Sequence, residues 1–202
     1  MPYSTSKFKN EIKSLLIEKF PDRETTIVDV GAGAGSYADL LGGQYRNIDA
    51  VEIWRPYIAE FGLAGKYRNV FCEDASDFFR KASCPRYDVA ILGDVLEHLA
   101  VNEAADMIER CVARCGYVLV IVPFSCEQEE SHGNHYERHL QPDLTFETMS
   151  ERYGEYLELL MHGFHSSDNE YEIAVYQSKD RQAWVGGDRV GEAAPPRASG
   201  GL

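Results

Sequence analysis

The chain has 202 residues, 44% of them hydrophobic, and carries 33 Asp and Glu against 20 Lys and Arg, a formal net charge of −13. That length fits one domain with an ordinary core. No apolar run is long enough to span a bilayer, and the opening MPYSTSKFKNEIKS has no apolar signal-peptide region. An acidic chain gains nothing from counterion release on phosphates, so duplex nucleic acid is disfavoured and small molecules are the expected partners. The five cysteines are odd in number and show no C-x-x-C spacing, which reads as reduced thiols in a cytoplasmic protein.

Phe8, Ile12, Leu15, Leu16 and Phe20 fall at helical spacing and Pro21 closes the segment. This helix over residues 1–22 is expected to cover the sheet. Ile27, Val28 and Val30 then form a β-branched run ending in Gly31, Gly33 and Gly35, with Ala32 and Ala34 between them. A strand of this kind suits a buried parallel position, and the glycines let a ligand lie against the backbone. Ser36 is the expected cap of the helix that follows. The order from Asp29 to Gly35 is D-x-G-x-G-x-G, where a dinucleotide fingerprint would be G-x-G-x-x-G.

A second strand is expected over Ile48–Ile53. Glu52 stands at its end, about 20 residues past the glycine turn, where a carboxylate can accept from both hydroxyls of a ribose. Ile53 and Trp54 would flank an adenine. Val70–Cys72 reads as the third strand, running into Asp74 and Ala75; Asp77 competes with Asp74 as the acid of that end. Tyr87–Leu92 is the fourth strand, followed by Gly93, Asp94, Val95, Leu96, Glu97 and His98. An amphipathic helix over Ala104–Cys115 follows, with Ala105, Ile108, Val112 and Cys115 as its inner stripe and Gly116 as its end. Tyr117–Val122 is the fifth strand, stopped by Pro123.

The run D-x-G-x-G-x-G, the acids Glu52 and Asp74 at successive strand ends, and D-V-L-E-H-L over Asp94–Leu99 together resemble the Rossmann-fold S-adenosylmethionine-dependent methyltransferases of small-molecule and glycan type. The resemblance covers about Thr26–Gln177. It implies S-adenosyl-L-methionine as cofactor and Asp29, Gly31, Ala32, Gly33, Glu52, Ile53, Asp74, Ala75 and Asp94 as cofactor-binding residues. Glu97 and His98 can be read as general base or metal ligands, whereas the resemblance implies that they position the cofactor or start the next helix, with His98 structural. The implied fold is a seven-stranded mostly parallel sheet with an antiparallel C-terminal strand and helices on both faces.

Residues 123–142 form a long polar loop rich in histidine, placed where acceptor loops lie in this fold. Its G-N-H-Y-E-R-H run, Gly133–His139, resembles a stretch found in relatives that modify glycans and natural products, although the W-x-x-E/D element of those relatives is replaced by Leu140–Leu144. Three readings of the histidines compete. His132 or His139 can serve as general base to a methyl acceptor. They can instead be structural, or His132, His135 and His139 with Glu129 or Glu137 can bind a metal. The first two rank level and no metal is assigned.

A helix is expected from Pro142 to Tyr153, ended by Gly154, then strands over Tyr156–His162 and Tyr171–Gln177. Residues 1–177 form one expected domain, and 178–202, rich in Gly, Pro and Ala, a disordered tail. The expected activity is methyl transfer to an oxygen, nitrogen or carbon nucleophile of a small molecule or sugar-containing metabolite. Two alternatives stay open: a non-catalytic cofactor-binding partner protein and an NAD(P)-dependent reductase. Oligomeric state is not legible.

Overall fold

The computed structural model describes residues 5–131, 133–165 and 171–179. Seven strands form one sheet: β1 (Thr26–Val30), β2 (Asn47–Val51), β3 (Asn69–Phe71), β4 (Tyr87–Gly93), β5 (Cys115–Phe124), β6 (Leu157–Phe164) and β7 (Glu172–Ser178). Their spatial order is β3-β2-β1-β4-β5-β7-β6. The first five are parallel, and β7 runs antiparallel to both of its neighbours. The expected fold is therefore the observed one.

Among the described residues six α-helices flank the sheet: α1 (Lys9–Lys19), α2 (Ser36–Leu41), α3 (Arg55–Glu60), α4 (Ala75–Arg80), α5 (Val101–Arg114) and α6 (Phe146–Tyr153). Because strand side chains alternate, each strand feeds two cores. Val28, Val30, Ala90, Leu92, Val118 and Val120 share one face with residues of α4, α5 and α6. Ile27, Val89, Ile91, Leu119 and Ile121 share the other with Ile12 and Leu16 of α1 and with α2. The N-terminal helix covers the sheet, as its periodicity requires.

Several boundaries differ from the sequence reading, each for a tertiary reason. Pro123 lies inside β5, opposite Ile173 of β7. Ile121 O accepts from Asp94 N, so the β4-facing groups of β5 are those of Ile121 and, two residues on, Pro123. β4 ends at Gly93 opposite Ile121, so the missing proline N–H has no strand to serve. Gly116 likewise sits in β5, since α5 passes directly into the strand at Cys115. The inner stripe of α5 is Ala104, Met107, Ile108 and Cys111, one residue from that expected, with Ala105 and Val112 only partly buried.

The helix α2 opens on Gly35 in a left-handed conformation, and Ser36 is its first residue, not its cap. The sixth helix begins at Phe146, four residues after Pro142, on a box in which Thr145 Oγ1 accepts from Thr148 N and Thr148 Oγ1 accepts from Thr145 N. Lys179 N donates to Tyr156 O, so described structure passes residue 177 by two residues. The rest of the tail, 180–202, lies outside the described residues. No helix among the described residues is long and apolar enough to cross a membrane.

Candidate active site

The chain order reverses between β1 and β4: from β1 the sheet grows outward through β2 and β3, and from β4 through β5. In a doubly wound sheet such a switch leaves a crevice at the carboxyl ends of the strands. Here it is a cavity of about 800 Å³ walled by the turns that leave β1, β2 and β4, by α4, and by the loop after β5.

The glycine turn forms its floor. Gly31 N donates to Val51 O at 2.8 Å, which ties the end of β1 to the end of β2. Gly31 has φ +67°, and a Cβ there would stand 2.8 Å from Val95 Cγ2. A side chain is thus excluded twice, once by backbone strain and once by contact. Gly93 closes the opposite wall against Tyr37, whose ring would lie 2.4 Å from an added Cβ. Gly31, Ala32 and Gly33 all face the cavity.

Glu52 follows β2 directly and is 5% exposed. Gly33 N donates to its Oε2 at 2.8 Å and Trp54 N to its Oε1 at 2.7 Å. Burial raises its pKa and these two N–H groups oppose the rise. Each oxygen keeps a further lone pair for an incoming hydroxyl. Ile53 stands beside it in the wall, whereas Trp54 packs edge-on against His135 and Tyr136 of the loop.

Asp74 and Ala75 line the next strand end. Asp74 caps α4, accepting from Asp77 N at 3.1 Å, while Asp77 pairs with Arg80. The competition between these two acids therefore resolves in space, with Asp74 at the cavity. Asp94 leaves β4 with φ +56° and lines the same cavity. Its Oδ2 accepts from Thr5 N at 3.0 Å, a contact across 89 residues that no sequence signal announces. Burial raises its pKa to about 6, opposed by the Thr5 N–H and by Lys9.

Asp29 departs from the expected set. Its carboxyl is 2% exposed, points into the face shared with α1 and α2, and accepts from the Tyr67 hydroxyl instead of reaching the cavity wall. Strand alternation explains this: Val28 and Val30 take the other face. Burial pushes its pKa to about 7, with the Tyr67 hydroxyl opposing and Glu52 adding to the rise.

The loop after β5 forms the roof. Asn134, His135, Tyr136, Glu137 and Leu140 face the cavity. Asn134 Oδ1 accepts from Tyr136 N at 3.0 Å and starts a 3-10 turn over His135–Glu137. Glu137 is held down by the Tyr57 hydroxyl of α3 at 3.0 Å. Leu140 N and Gln141 N both donate to Glu97 O, at 2.7 and 3.0 Å. Buried Gln141 donates from Nε2 to Leu96 O and Leu99 O and accepts from Tyr153 and Arg152. Neither Gln141 nor Tyr57 was singled out by pattern, since the need for each arises only where the loop crosses the turn after β4.

These contacts bring His139 beside His98, with ring centroids 4.8 Å apart. Burial lowers the pKa of both, His98 to about 4 with His139 adding to the effect. Glu97 beside them is 1% exposed, and burial, with Asp94 adding to it, drives its pKa well up. Its own backbone N–H opposes that rise from nearby but outside hydrogen-bonding geometry. Of the loop groups weighed as metal ligands, His135 joins Trp54 and Tyr136, Glu129 pairs with Arg138, and His132 lies outside the described residues.

A glycine cradle, a strand-end carboxylate with spare acceptors and a terminal antiparallel strand pair define a nucleoside-binding methyltransferase fold. A family model described as a methyltransferase domain matches residues 6–164, and the chain belongs to this family, within the class I S-adenosylmethionine-dependent methyltransferases. The protein is accordingly an enzyme that uses S-adenosylmethionine. Among solved structures, a methyltransferase from Clostridium acetobutylicum aligns with TM-score 0.63 and 12% identity over 88% of this chain and 92% of its own. The 1,6-didemethyltoxoflavin-N1-methyltransferase of Burkholderia thailandensis, solved with 1,6-didemethyltoxoflavin and S-adenosylhomocysteine, gives 0.60 and 18% over 86% and 79%. The magnesium protoporphyrin IX methyltransferase of Synechocystis PCC 6803, solved with S-adenosylmethionine, gives 0.59 and 15% over 85% and 77%. No curated protein matches the chain.

Proposed function

We propose that the protein methylates an oxygen, nitrogen or carbon nucleophile of a small molecule or sugar-containing metabolite. The carrying observation is the cavity at the β1/β4 switch, roofed by a polar loop and walled on one side by buried Glu52. The residues present fit the cofactor: a side chain at Gly31 would fill the cradle, and Glu52 retains acceptors aimed at a diol. We assign cofactor binding to Gly31, Ala32, Gly33, Glu52, Ile53, Asp74, Ala75 and Asp94. Asp29 acts through the turn that it precedes. When bound, S-adenosylmethionine supplies an electrophilic methyl carbon on a charged sulfur.

The chain's own part is to orient, to exclude water and to hold a proton. Orientation can contribute about 7–11 kcal/mol in the best cases. The loop roof, fastened by Tyr57 and Gln141, covers one side of the cavity and so limits the access of water. His139 donates from Nδ1 to Cys126 O at 2.8 Å, which leaves Nε2 as a proton acceptor. Its lowered pKa keeps the ring neutral near pH 7, as a base requires. His132 stays a second candidate on sequence alone. The toxoflavin and protoporphyrin enzymes act on small molecules, which favours an acceptor of that kind here. One domain through residue 177 and a cytoplasmic setting, the latter from the odd cysteine count, belong to the same proposal.

Calorimetric titration with S-adenosylhomocysteine, S-adenosylmethionine and NADH tests it. Both sulfur nucleotides should bind and NADH should not. Glu52→Ala should weaken binding by roughly 10- to 100-fold, the worth of one charge-assisted hydrogen bond at about 1.5–3 kcal/mol. Binding of NADH alone would overturn the assignment.

A further inference from the structure

Glu97 follows β4 in a 3-10 turn (Leu96–His98), is 1% exposed, and has neither carboxylate oxygen hydrogen-bonded among the described residues. Such a group is costly to bury without a partner. One ligating atom from each of Glu97, His98 and His139 lies within 4.8 Å of the other two. We infer that these three side chains bind one divalent first-row transition ion at the edge of the cofactor cavity.

The histidines are already in the tautomer that ligation needs. His98 Nδ1 faces Arg138 O at 3.2 Å and His139 Nδ1 faces Cys126 O at 2.8 Å. A carbonyl only accepts, so each Nδ1 carries the proton and each Nε2 offers its lone pair. An N–H held by a backbone carbonyl is the usual support of a ligating histidine. The Glu97 carboxylate supplies the anionic ligand, and the cation would be its missing partner.

The donor set selects the ion. Two imidazoles and a carboxylate suit Mn²⁺, Fe²⁺, Co²⁺, Ni²⁺ or Zn²⁺, whereas Mg²⁺ and Ca²⁺ prefer oxygen throughout. Three protein ligands leave coordination positions free, and His98 lines the cavity. With His139 Nε2 on the ion, a free position facing the cavity would take an acceptor oxygen and ease loss of its proton to water, in place of the histidine base. That last role rests on the methyltransferase reading; the ion site does not.

The site forms only in the folded loop. Leu140 N and Gln141 N, both on Glu97 O, bring residue 139 back to residues 97 and 98 across about forty positions. Glu97→Gln keeps the shape of a neutral buried carboxyl but removes the anionic ligand. It therefore separates a metal ligand from a carboxyl that is simply buried and protonated.

The test uses untagged full-length protein, stripped with a chelator, then titrated with Co²⁺ by absorption and with Zn²⁺ and Mg²⁺ by calorimetry. S-adenosylhomocysteine binding is measured on the same samples. One Co²⁺ per chain with a visible d–d band is expected, weakened at least tenfold by Glu97→Gln and by His139→Ala, while both variants still bind S-adenosylhomocysteine. If Glu97→Gln fails to fold, the half-buried His139→Ala carries the comparison. No ion bound by the unmodified protein, equal binding by both variants, or Mg²⁺ preferred over Co²⁺ would each overturn the inference. Stoichiometric Co²⁺ without S-adenosylhomocysteine binding would support the ion site and remove the cofactor assignment instead.

Discussion

At the scale of single residues, burial changes the protonation of groups both in the cavity wall and behind it. Asp29 has a folded-state midpoint of about 7 against 3.8 for the free carboxyl, so folding favours its protonated form. Its stabilising contribution is complete below about pH 4 and is lost as pH rises through about 7. At about 1.4 kcal/mol per decade, the span is on the order of 4 kcal/mol. Thermal melts of Asp29→Asn between pH 4 and 8 should accordingly fall less steeply with pH than those of the unmodified chain. A parallel pair of curves would show that Asp29 ionises normally. Gly31→Ala tests the cradle at the same scale. The left-handed backbone costs an alanine roughly 1–2 kcal/mol, and Val95 must also move. Melting temperature should drop and S-adenosylhomocysteine affinity fall at least tenfold, read by calorimetry.

At the scale of elements, the turn after β4 and the loop after β5 behave as one unit because Gln141 joins them. Its amide donates to Leu96 O and Leu99 O and accepts from Tyr153 and Arg152, so one buried side chain stitches the turn to the loop and to α6. Gln141→Leu preserves volume but takes the side-chain partner from Leu99 O and from the Tyr153 hydroxyl, while Leu96 O keeps its bond from Leu99 N. With each unsatisfied group worth about 1–3 kcal/mol, the loss of stability should be several kcal/mol, measured by urea unfolding. A loss under 1 kcal/mol would mean that water replaces the amide. The same logic explains why Pro123 does not end β5. A strand ends where its hydrogen-bonding partners end, and β7 continues past the point at which β4 has stopped.

At the scale of the whole molecule, the cavity has its roof only because distant segments are fastened over it. Thr5 N reaches Asp94 from one side, and the Tyr57 hydroxyl holds Glu137 from the other. Tyr57→Phe removes the second fastening, worth about 0.5–1.5 kcal/mol to the closed loop. Limited proteolysis between residues 125 and 141 should become several-fold faster in this variant while global melting changes little. Bound S-adenosylhomocysteine should slow it again. Unchanged cleavage would show that the other loop contacts hold it without Tyr57.

The sequence by itself determined the class of protein. Glycine spacing, β-branched runs and an acid at each strand end are local requirements, so the places of Gly31, Glu52, Asp74 and Asp94 at the strand ends around the cavity were legible one by one, and the alternation of strands and helices carried the sheet. What only the tertiary structure decided is which distant groups meet. Strand alternation turned Asp29 inward to Tyr67, an outcome set by the neighbouring face and not by the motif. The register of the loop against the turn after β4 took His139 to Glu97 and His98 rather than to its neighbours in sequence. Short-range pattern encodes the direction of a backbone; it does not encode which polar groups a long loop must satisfy on landing, because that depends on carbonyls and carboxylates from elements some forty residues away.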